Sequence, residues 1–226
     1  MEWTAILLSL RVAVTATLVS TPLGIALAWL LARQDFWGKS FLDALVHLPL
    51  VLPPVVTGYL LLLSFGRRGF AGAWLADHFG IVFAFRWTGA ALACGVMAFP
   101  LLVRPIRLSI EAVDRRLEQA AETLGAPPWR VFLNVTLPLA LPGVLAGMVL
   151  GFAKAIGEFG ATITFVSNIP GETQTISAAI YTYTQVPGGD AKAWRLTAIA
   201  IAIALGALIL SEIVQRTAHR RLAQFE

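Results

Sequence analysis

Long apolar stretches alternate with short polar ones along the whole chain. Five runs without charged residues, each 16 to 20 residues long, lie at 12–31, 48–65, 87–103, 137–153 and 196–211. A helix of about 20 residues crosses a hydrocarbon core of about 30 Å. We therefore predict an all-α integral membrane protein with one transmembrane domain over 1–226. With their flanking residues, the runs predict five spanning helices, at 12–32, 45–66, 87–105, 137–159 and 195–215.

Composition supports this class of protein. Of the 226 residues, 58% are hydrophobic and 13% are charged, whereas soluble domains carry about 25% charge. A net charge of +4 would suggest nucleic acid in a soluble protein. Here the basic residues cluster at the ends of apolar runs, so we expect them to set orientation in the membrane, and we expect no nucleic-acid partner. The start, Met1-Glu2-Trp3, lacks the basic residues of a signal peptide, which favours a retained helix.

The distribution of Lys and Arg predicts which side of the membrane each loop faces. Cytoplasmic loops carry an excess of basic residues. We therefore expect the N-terminus outside, the C-terminus inside and the 104–136 loop in the cytoplasm. Ten basic residues fall on the predicted inner side and five on the outer: Arg33, Lys39, Arg104, Arg107, Arg115, Arg116, Arg130, Arg216, Arg220 and Arg221, against Arg67, Arg68, Arg86, Lys192 and Arg195.

A polar stretch at 114–136 separates the third and fourth predicted spans. Asp114 suits the N-cap of a helix over 115–124, and Gly125 suits the position just after that helix ends. Pro128 can begin a second short helix that leads into the fourth span. The sequence thus predicts a short helix across one face of the membrane domain, ended by a sharp turn.

One face of the predicted 115–124 helix is nearly bare. Ala120 and Ala121 have small side chains, while Glu118, Gln119 and Glu122 are polar neighbours that can form hydrogen bonds at the rim of an interface. Such a face can enter a groove on a partner protein. An amphipathic linker helix that rests on its own membrane domain fits the composition equally well.

Proline and glycine mark two of the spans. Proline breaks the backbone hydrogen-bond ladder, which lipid tolerates only where protein or water supplies partners. The second span therefore either borders a transport path or contains a kink that shapes packing; its prolines are Pro49, Pro53 and Pro54. A four-residue repeat of glycines gives the fourth span a narrow face for packing within the chain, or for a subunit or pore contact: Gly143, Gly147 and Gly151.

Four segments together resemble the permease subunits of ATP-binding-cassette (ABC) importers: 47–54, 66–69, 117–121 and 157–173. The polar loop is similar to the EAA loop by which such permeases bind their ATPase, with Gln119 where glutamate is usual. The 157–173 stretch narrows the resemblance to molybdate permeases. From the loop, the resemblance implies these coupling residues: Glu118, Gln119, Ala120, Ala121, Gly125, Leu137 and Pro138.

The resemblance also implies a function and partners. Two copies of the chain would pair in a bacterial inner membrane, two copies of an ABC ATPase would dock beneath them, and a periplasmic oxyanion-binding protein would deliver molybdate. A sulfate or tungstate importer of the same architecture is the alternative. The chain has no G-x-x-x-x-G-K-[ST] loop, so we expect it to be no enzyme by itself and to bind no cofactor; ATP and Mg would bind to the ATPase.

Candidate residues for a translocation path or gate lie at the end of the fourth span and directly after it. Lys154 and Glu158 are spaced i, i+4, so either Lys154 attracts the anion or the two side chains neutralise each other. Thr162, Thr164 and Ser167 could line the outer mouth. The sequence over 173–185 predicts a short helix at the outer face, which could be a gate or a contact for the binding protein. An ordinary external loop fits this stretch equally well.

Two other functional classes fit the sequence less well than the importer. A membrane-embedded enzyme needs converging acids, bases or metal ligands, but His47, His78 and His219 are scattered over the chain and no spacing indicates a metal site. A channel or structural subunit would not need the loop that resembles an ATPase-binding element.

Overall fold

The computed structural model describes residues 2–222, with side chains described as far as Ile213 except that of Ser211. In this part of the chain all regular structure is helical, which confirms the all-α class. The elements are α1 (Glu2–Arg33), α2 (Lys39–Val51), α3 (Pro54–Phe65), α4 (Phe70–Phe79), α5 (Trp87–Glu111), α6 (Arg115–Thr123), α7 (Pro128–Val131), a π-helical turn (Phe132–Thr136), α8 (Leu137–Ile156), α9 (Gly160–Val166), α10 (Ile176–Thr184) and α11 (Asp190–Leu222).

Four helical segments of the described chain are long and apolar enough to cross a membrane. They are α1, α5, the continuous helix formed by α7, the π-helical turn and α8, and the first part of α11. In α5, 67% of the most apolar window is buried inside the molecule, compared with 11% in α11. Helix α5 is therefore the centre of the bundle, and α11 lies at its edge.

Helices α1 and α5 run in the same direction. Near their starts, the guanidinium of Arg11 lies 3.7 Å from the centre of the Trp87 ring. Near their ends, Arg33 Nη2 donates to the carbonyl oxygen of Val113 at 3.2 Å. The chain between them must therefore return from one end of the bundle to the other.

Helix α8 packs antiparallel to α5. Close to the end of α8, the Cys94 thiol donates to the carbonyl oxygen of Ala155 at 3.5 Å. In its middle, a Cβ at Gly147 would lie 2.5 Å from the carbonyl oxygen of Leu102. The glycine face of α8 is thus used for close packing within the chain, the first of the two alternatives that the repeat of glycines left open.

The second predicted span is not one straight helix over 45–66. Helices α2 and α3 meet at 115° across a short break. The Leu52 N–H still bonds Leu48 O, but Pro53 has an extended ψ of 133° and Pro54 begins the new helix. Neither proline has an N–H with which to continue the ladder. The kink that the prolines predicted is therefore a full change of direction.

The other boundaries differ at their ends. The first helix begins at Glu2 rather than 12, the third continues to Glu111, and the fourth ends at Ile156 rather than 159. The last helix extends over Asp190–Leu222, where 195–215 was predicted. The side chains of Arg216, His219, Arg220 and Arg221 lie outside the described residues.

Candidate functional site

The ends of α6 follow from local sequence signals. Asp114 Oδ1 accepts a hydrogen bond from the Arg116 N–H at 2.9 Å, which is the predicted N-cap. At the other end Gly125 has φ +83°, and the Ala126 N–H bonds Ala121 O at 3.1 Å. A left-handed glycine with this hydrogen bond is a Schellman ending. Both predicted ends of the helix are therefore confirmed.

Glu118 points from α6 into the molecule. Its Oε1 accepts from Arg33 Nη2 at 3.0 Å and from Thr136 Oγ1 at 2.5 Å. The side chains of Arg33 and Glu118 are only 9% and 14% exposed. Among the predicted coupling residues, Glu118 therefore fastens the loop to its own membrane domain.

The opposite face of the loop is apolar and exposed. Leu117 is 50% exposed, Leu124 89% and Trp129 59%. Gln119 and Ala120 are also exposed. Large apolar side chains clustered at a surface are typical of a site that another molecule covers. The loop thus rests on the chain through one face and leaves the other free.

The junction between the loop and α8 is continuous helix. Pro128 starts α7 as predicted, and the π-helical turn then joins it to α8, with the Leu137 N–H bonded to Phe132 O. Leu137 is half-buried and Pro138 is exposed at the first turn of α8. The predicted second short helix is thus the first turns of a longer one.

At the far end of α8, Lys154 and Glu158 form an ion pair. Lys154 Nζ lies 2.8 Å from Glu158 Oε2, and the Glu158 side chain is 1% exposed. The other carboxylate oxygen accepts from the Ala161 N–H at 3.0 Å, in the first turn of α9. Mutual neutralisation is therefore the arrangement that the structure has, and Glu158 also fixes the start of α9.

The three hydroxyl residues after this pair have different surroundings. Thr162 is 2% exposed and its hydroxyl donates to Phe159 O at 2.9 Å, so it cannot line an open mouth of this chain. Thr164 is half-buried, and its hydroxyl donates to Gly160 O at 2.9 Å. Ser167 is exposed, with φ +65°. Only the last two remain accessible.

Two cavities border the described helices, and they differ in charge. One, of about 570 Å³, lies between α1, α2 and α5, and its lining residues are uncharged. The other, of about 460 Å³, is lined by Arg67 and Arg86 among others.

Sequence reasoning missed the two residues that bind the carboxylate of Glu118. The sequence marks Arg33 only as a basic residue near the end of a span, and it gives no signal for Thr136. Their partner Glu118 is 85 and 18 positions away along the chain, and no local pattern connects such positions. The only sequence signal for this ion pair was a basic residue at the end of one span and an acidic residue in a polar loop.

Comparison with known proteins shows the class. The family described as "Binding-protein-dependent transport system inner membrane component" matches residues 20–224, and the chain belongs to this family. It is 61% identical over 220 residues to the "Molybdenum transport system permease protein ModB" of Escherichia coli (strain K12), which covers 97% of this chain and 96% of that one.

A relative and a solved structure add contrast. The "Sulfate transport system permease protein CysT" of the same Escherichia coli strain is 39% identical over 169 residues, covering 75% of this chain and 61% of that one. The crystal structure of a bacterial alginate ABC transporter in complex with an alginate pentasaccharide-bound periplasmic protein superposes with TM-score 0.73 at 18% identity, covering 95% of this chain and 78% of that one. At this identity the likeness concerns the fold.

Proposed function

We propose that the chain is the permease subunit of an ABC importer that moves molybdate inward, driven by ATP hydrolysis on a separate subunit. The observation that carries this proposal is the 61% identity to a molybdenum permease over nearly the full length of both chains. The 39% identity to a sulfate permease over a smaller share makes sulfate the second candidate. ATP and Mg belong to the ATPase in this proposal, and this chain supplies the path.

The proposed topology has five crossings, with the N-terminus outside and the C-terminus in the cytoplasm. Two observations support it. Helices α1 and α5 run in the same direction, so the bent pair α2–α3 is the return crossing between them. The count of Lys and Arg in the loops and at the ends of the predicted spans, ten against five in the sequence, makes the side of α6 cytoplasmic under the positive-inside rule. Residues 1–226 then form one permease domain.

The proposed ATPase contact is the exposed face of the coupling loop. Gln119, Ala120 and Gly125 are exposed like Leu117 and Leu124, and Ala121 is half-buried. A Cβ at Gly125 would meet no atom within 4 Å. A small-residue surface lets a partner approach the backbone closely. Leu137 and Pro138 pass movement from this loop into α8, and Glu118 holds the loop in place.

The proposed path lies between two copies of the chain, at the outer end of α8. Lys154, with its side chain 30% exposed beside the sealed carboxylate of Glu158, is its cationic residue, and Thr164 and Ser167 supply hydroxyl groups. Thr162 is left out because it is buried. A periplasmic oxyanion-binding protein would release its ion near this end.

One experiment tests the ATPase contact. Co-purification of the ATPase with the chain should be lost in Ala121→Trp, because the large side chain alters the surface that the partner approaches. It should also be lost in Gly125→Pro, because proline cannot adopt the φ of +83° or donate the N–H bond to Glu122 O, and so displaces the end of α6. Ala191→Trp is the matched control, since Ala191 is exposed at the other end of the bundle. Equal co-purification in all three variants would contradict the proposal.

A second experiment decides the cargo. Uptake of molybdate, tungstate and sulfate is measured ion by ion in cells that lack the chain and in cells that express it. We expect the chain to restore molybdate uptake. Restoration of sulfate uptake alone would replace molybdate with the second candidate.

A further inference from the structure

One carboxylate oxygen ties three separate segments together at the loop end of the bundle. Glu118 Oε1 accepts from Arg33 Nη2 at 3.0 Å and from Thr136 Oγ1 at 2.5 Å. Arg33 is the last residue of α1, and Thr136 is the last residue of the π-helical turn, directly before α8. We call Arg33, Glu118 and Thr136 the loop anchor. It joins α6 to the ends of two long helices.

The loop anchor is shielded from water. Thr136 is 1% exposed, and the side chains of Arg33 and Glu118 are 9% and 14% exposed. Salt screens buried pairs far less than exposed ones. The nearby Lys39–Asp35 pair, with Asp35 95% exposed, is the opposite case. The loop anchor can therefore hold its segments together at physiological salt, whereas the exposed Lys39–Asp35 pair contributes little to stability.

Arg33 also has a hydrogen-bond donor that no acceptor in the described part of the chain uses. Within the described residues, Arg33 Nε is buried without an acceptor, and only Nη2 contacts the carboxylate. An arginine–carboxylate pair can form two parallel hydrogen bonds. A hydrogen bond from Nε to the second carboxylate oxygen of Glu118 would complete such a pair.

The π-helical turn lies at the third point of the loop anchor. Such turns hold an extra residue within an α-helix and are frequent at functional sites. Here the turn separates the exposed loop face at Trp129 from the membrane part of α8. A movement of α6 reaches α8 through Thr136, at the end of this turn, and reaches α1 through Arg33.

We infer that Arg33 and Thr136 are positioning residues for coupling. Through Glu118 they fasten α6 to α1 and α8, so that an ATPase bound to the exposed face of α6 moves both helices together. The inference rests on the proposed function, because it needs an ATPase on that face. It assigns transmission of movement to three side chains that are largely buried beneath the exposed face of α6.

The test compares transport with hydrolysis in the complete transporter, reconstituted in vesicles with its ATPase and binding protein. Arg33→Met and Thr136→Val leave the exposed face of α6 unchanged, so we expect ATPase binding and hydrolysis to persist. Molybdate moved per ATP hydrolysed should fall about tenfold in Arg33→Met and by a smaller factor in Thr136→Val. Lys39→Met, at the same end of the bundle, is the control and should leave the ratio unchanged.

A cross-link tests whether the contact between Arg33 and Glu118 stays closed or must open during transport. The double variant Arg33→Cys/Glu118→Cys is made in a chain that also carries Cys94→Ala, so that only the two new cysteines can react. A bis-methanethiosulfonate reagent then joins these two cysteines, and its length is chosen to match the distance that the Arg33 and Glu118 side chains span together. Without the reagent we expect a low ratio of transport to hydrolysis, and with it a recovery. A further loss on cross-linking would show that α6 must leave α1, and would overturn the inference.

The outcomes separate the two proposals. If the unchanged chain does not bind the ATPase, the proposed function fails, and this inference fails with it. If the ATPase binds and Arg33→Met keeps the full ratio of transport to hydrolysis, only the inference is wrong. If Arg33→Met fails to fold, the cross-linked double variant and Thr136→Val still decide it.

Discussion

The two ends of helix α8 are each held by a glutamate, and the two glutamates have opposite tasks. At the loop end, Glu118 joins segments far apart in sequence and lies beneath an exposed apolar face. At the far end, Glu158 pairs with Lys154 four residues away and caps the next helix, with its side chain 1% exposed. The loop end therefore leaves apolar side chains uncovered, whereas the carboxylate at the far end is satisfied by the chain itself.

The difference also separates long-range from local order. The Lys154–Glu158 pair needs only the turn that ends α8, since i, i+4 side chains are neighbours on a helix. The loop anchor needs α1, α6 and α8 all in place. Damage at the far end should therefore lower the stability of the chain, in addition to any effect on the proposed path through Lys154. Under the proposed function, damage at the loop end should lower the amount of transport per ATP hydrolysed.

The largest effect is expected from Lys154→Met. It leaves the Glu158 carboxylate buried without its cation, which should lower the free energy of unfolding by about 3–5 kcal/mol. Denaturant unfolding in detergent micelles, followed by tryptophan fluorescence, measures this loss. The double variant Lys154→Met/Glu158→Gln removes both charges and should recover part of the stability. No recovery would show that packing, rather than the unpaired charge, causes the loss.

The middle of α8 should come next. In Gly147→Leu the side chain would meet the carbonyl oxygen of Leu102, and overpacking of this kind costs about 1–3 kcal/mol. Gly206→Leu is the matched control, because a Cβ at Gly206 meets nothing within 4 Å. Thermal unfolding of the two variants side by side gives the difference. A control as unstable as Gly147→Leu would contradict the close packing of α8 on α5.

Asp114→Ala should have a smaller, local effect at the loop end. It removes the side chain that accepts from the Arg116 N–H, and loss of such a cap costs about 1 kcal/mol. Amide hydrogen exchange in the first turn of α6 should become faster. Asp114→Asn keeps an acceptor and should retain most of the protection. Faster exchange throughout α8 would show that α6 and α8 unfold as one unit.

The smallest effect is expected at the exposed Lys39–Asp35 pair. The hydrogen bond and charge of Lys39 lower the pKa of Asp35 below its ordinary value. A carboxyl with a lowered folded-state pKa contributes stability above its unfolded pKa, and this is lost as the pH falls through the folded value. Because Asp35 is fully exposed, Asp35→Asn should not measurably change unfolding between neutral and acidic pH. A clear change would mean that this pair is stronger than its exposure implies.

The sequence predicted the parts of this molecule that depend on neighbouring residues. Asp114 and Gly125 gave both ends of α6, because caps and left-handed glycines act within one turn. The prolines at 53 and 54 indicated a kink, but the 115° angle depends on what the two helices pack against. Likewise the inward direction of Glu118 depends on Arg33, which only the folded chain brings near. Rules that use only neighbouring residues cannot predict partners so far apart in the sequence.

The bend between α2 and α3 has a consequence for how the protein is made. With 13 and 12 residues, the two helices are about 20 Å and 18 Å long, and each is shorter than the hydrocarbon core of about 30 Å. Neither is a complete signal for membrane insertion. Asp43 of α2 also pairs with Arg107 of α5 at 2.8 Å, and α5 is synthesised later. In the proposed five-crossing topology, we therefore expect the bent pair to settle in the membrane only once α5 has followed it.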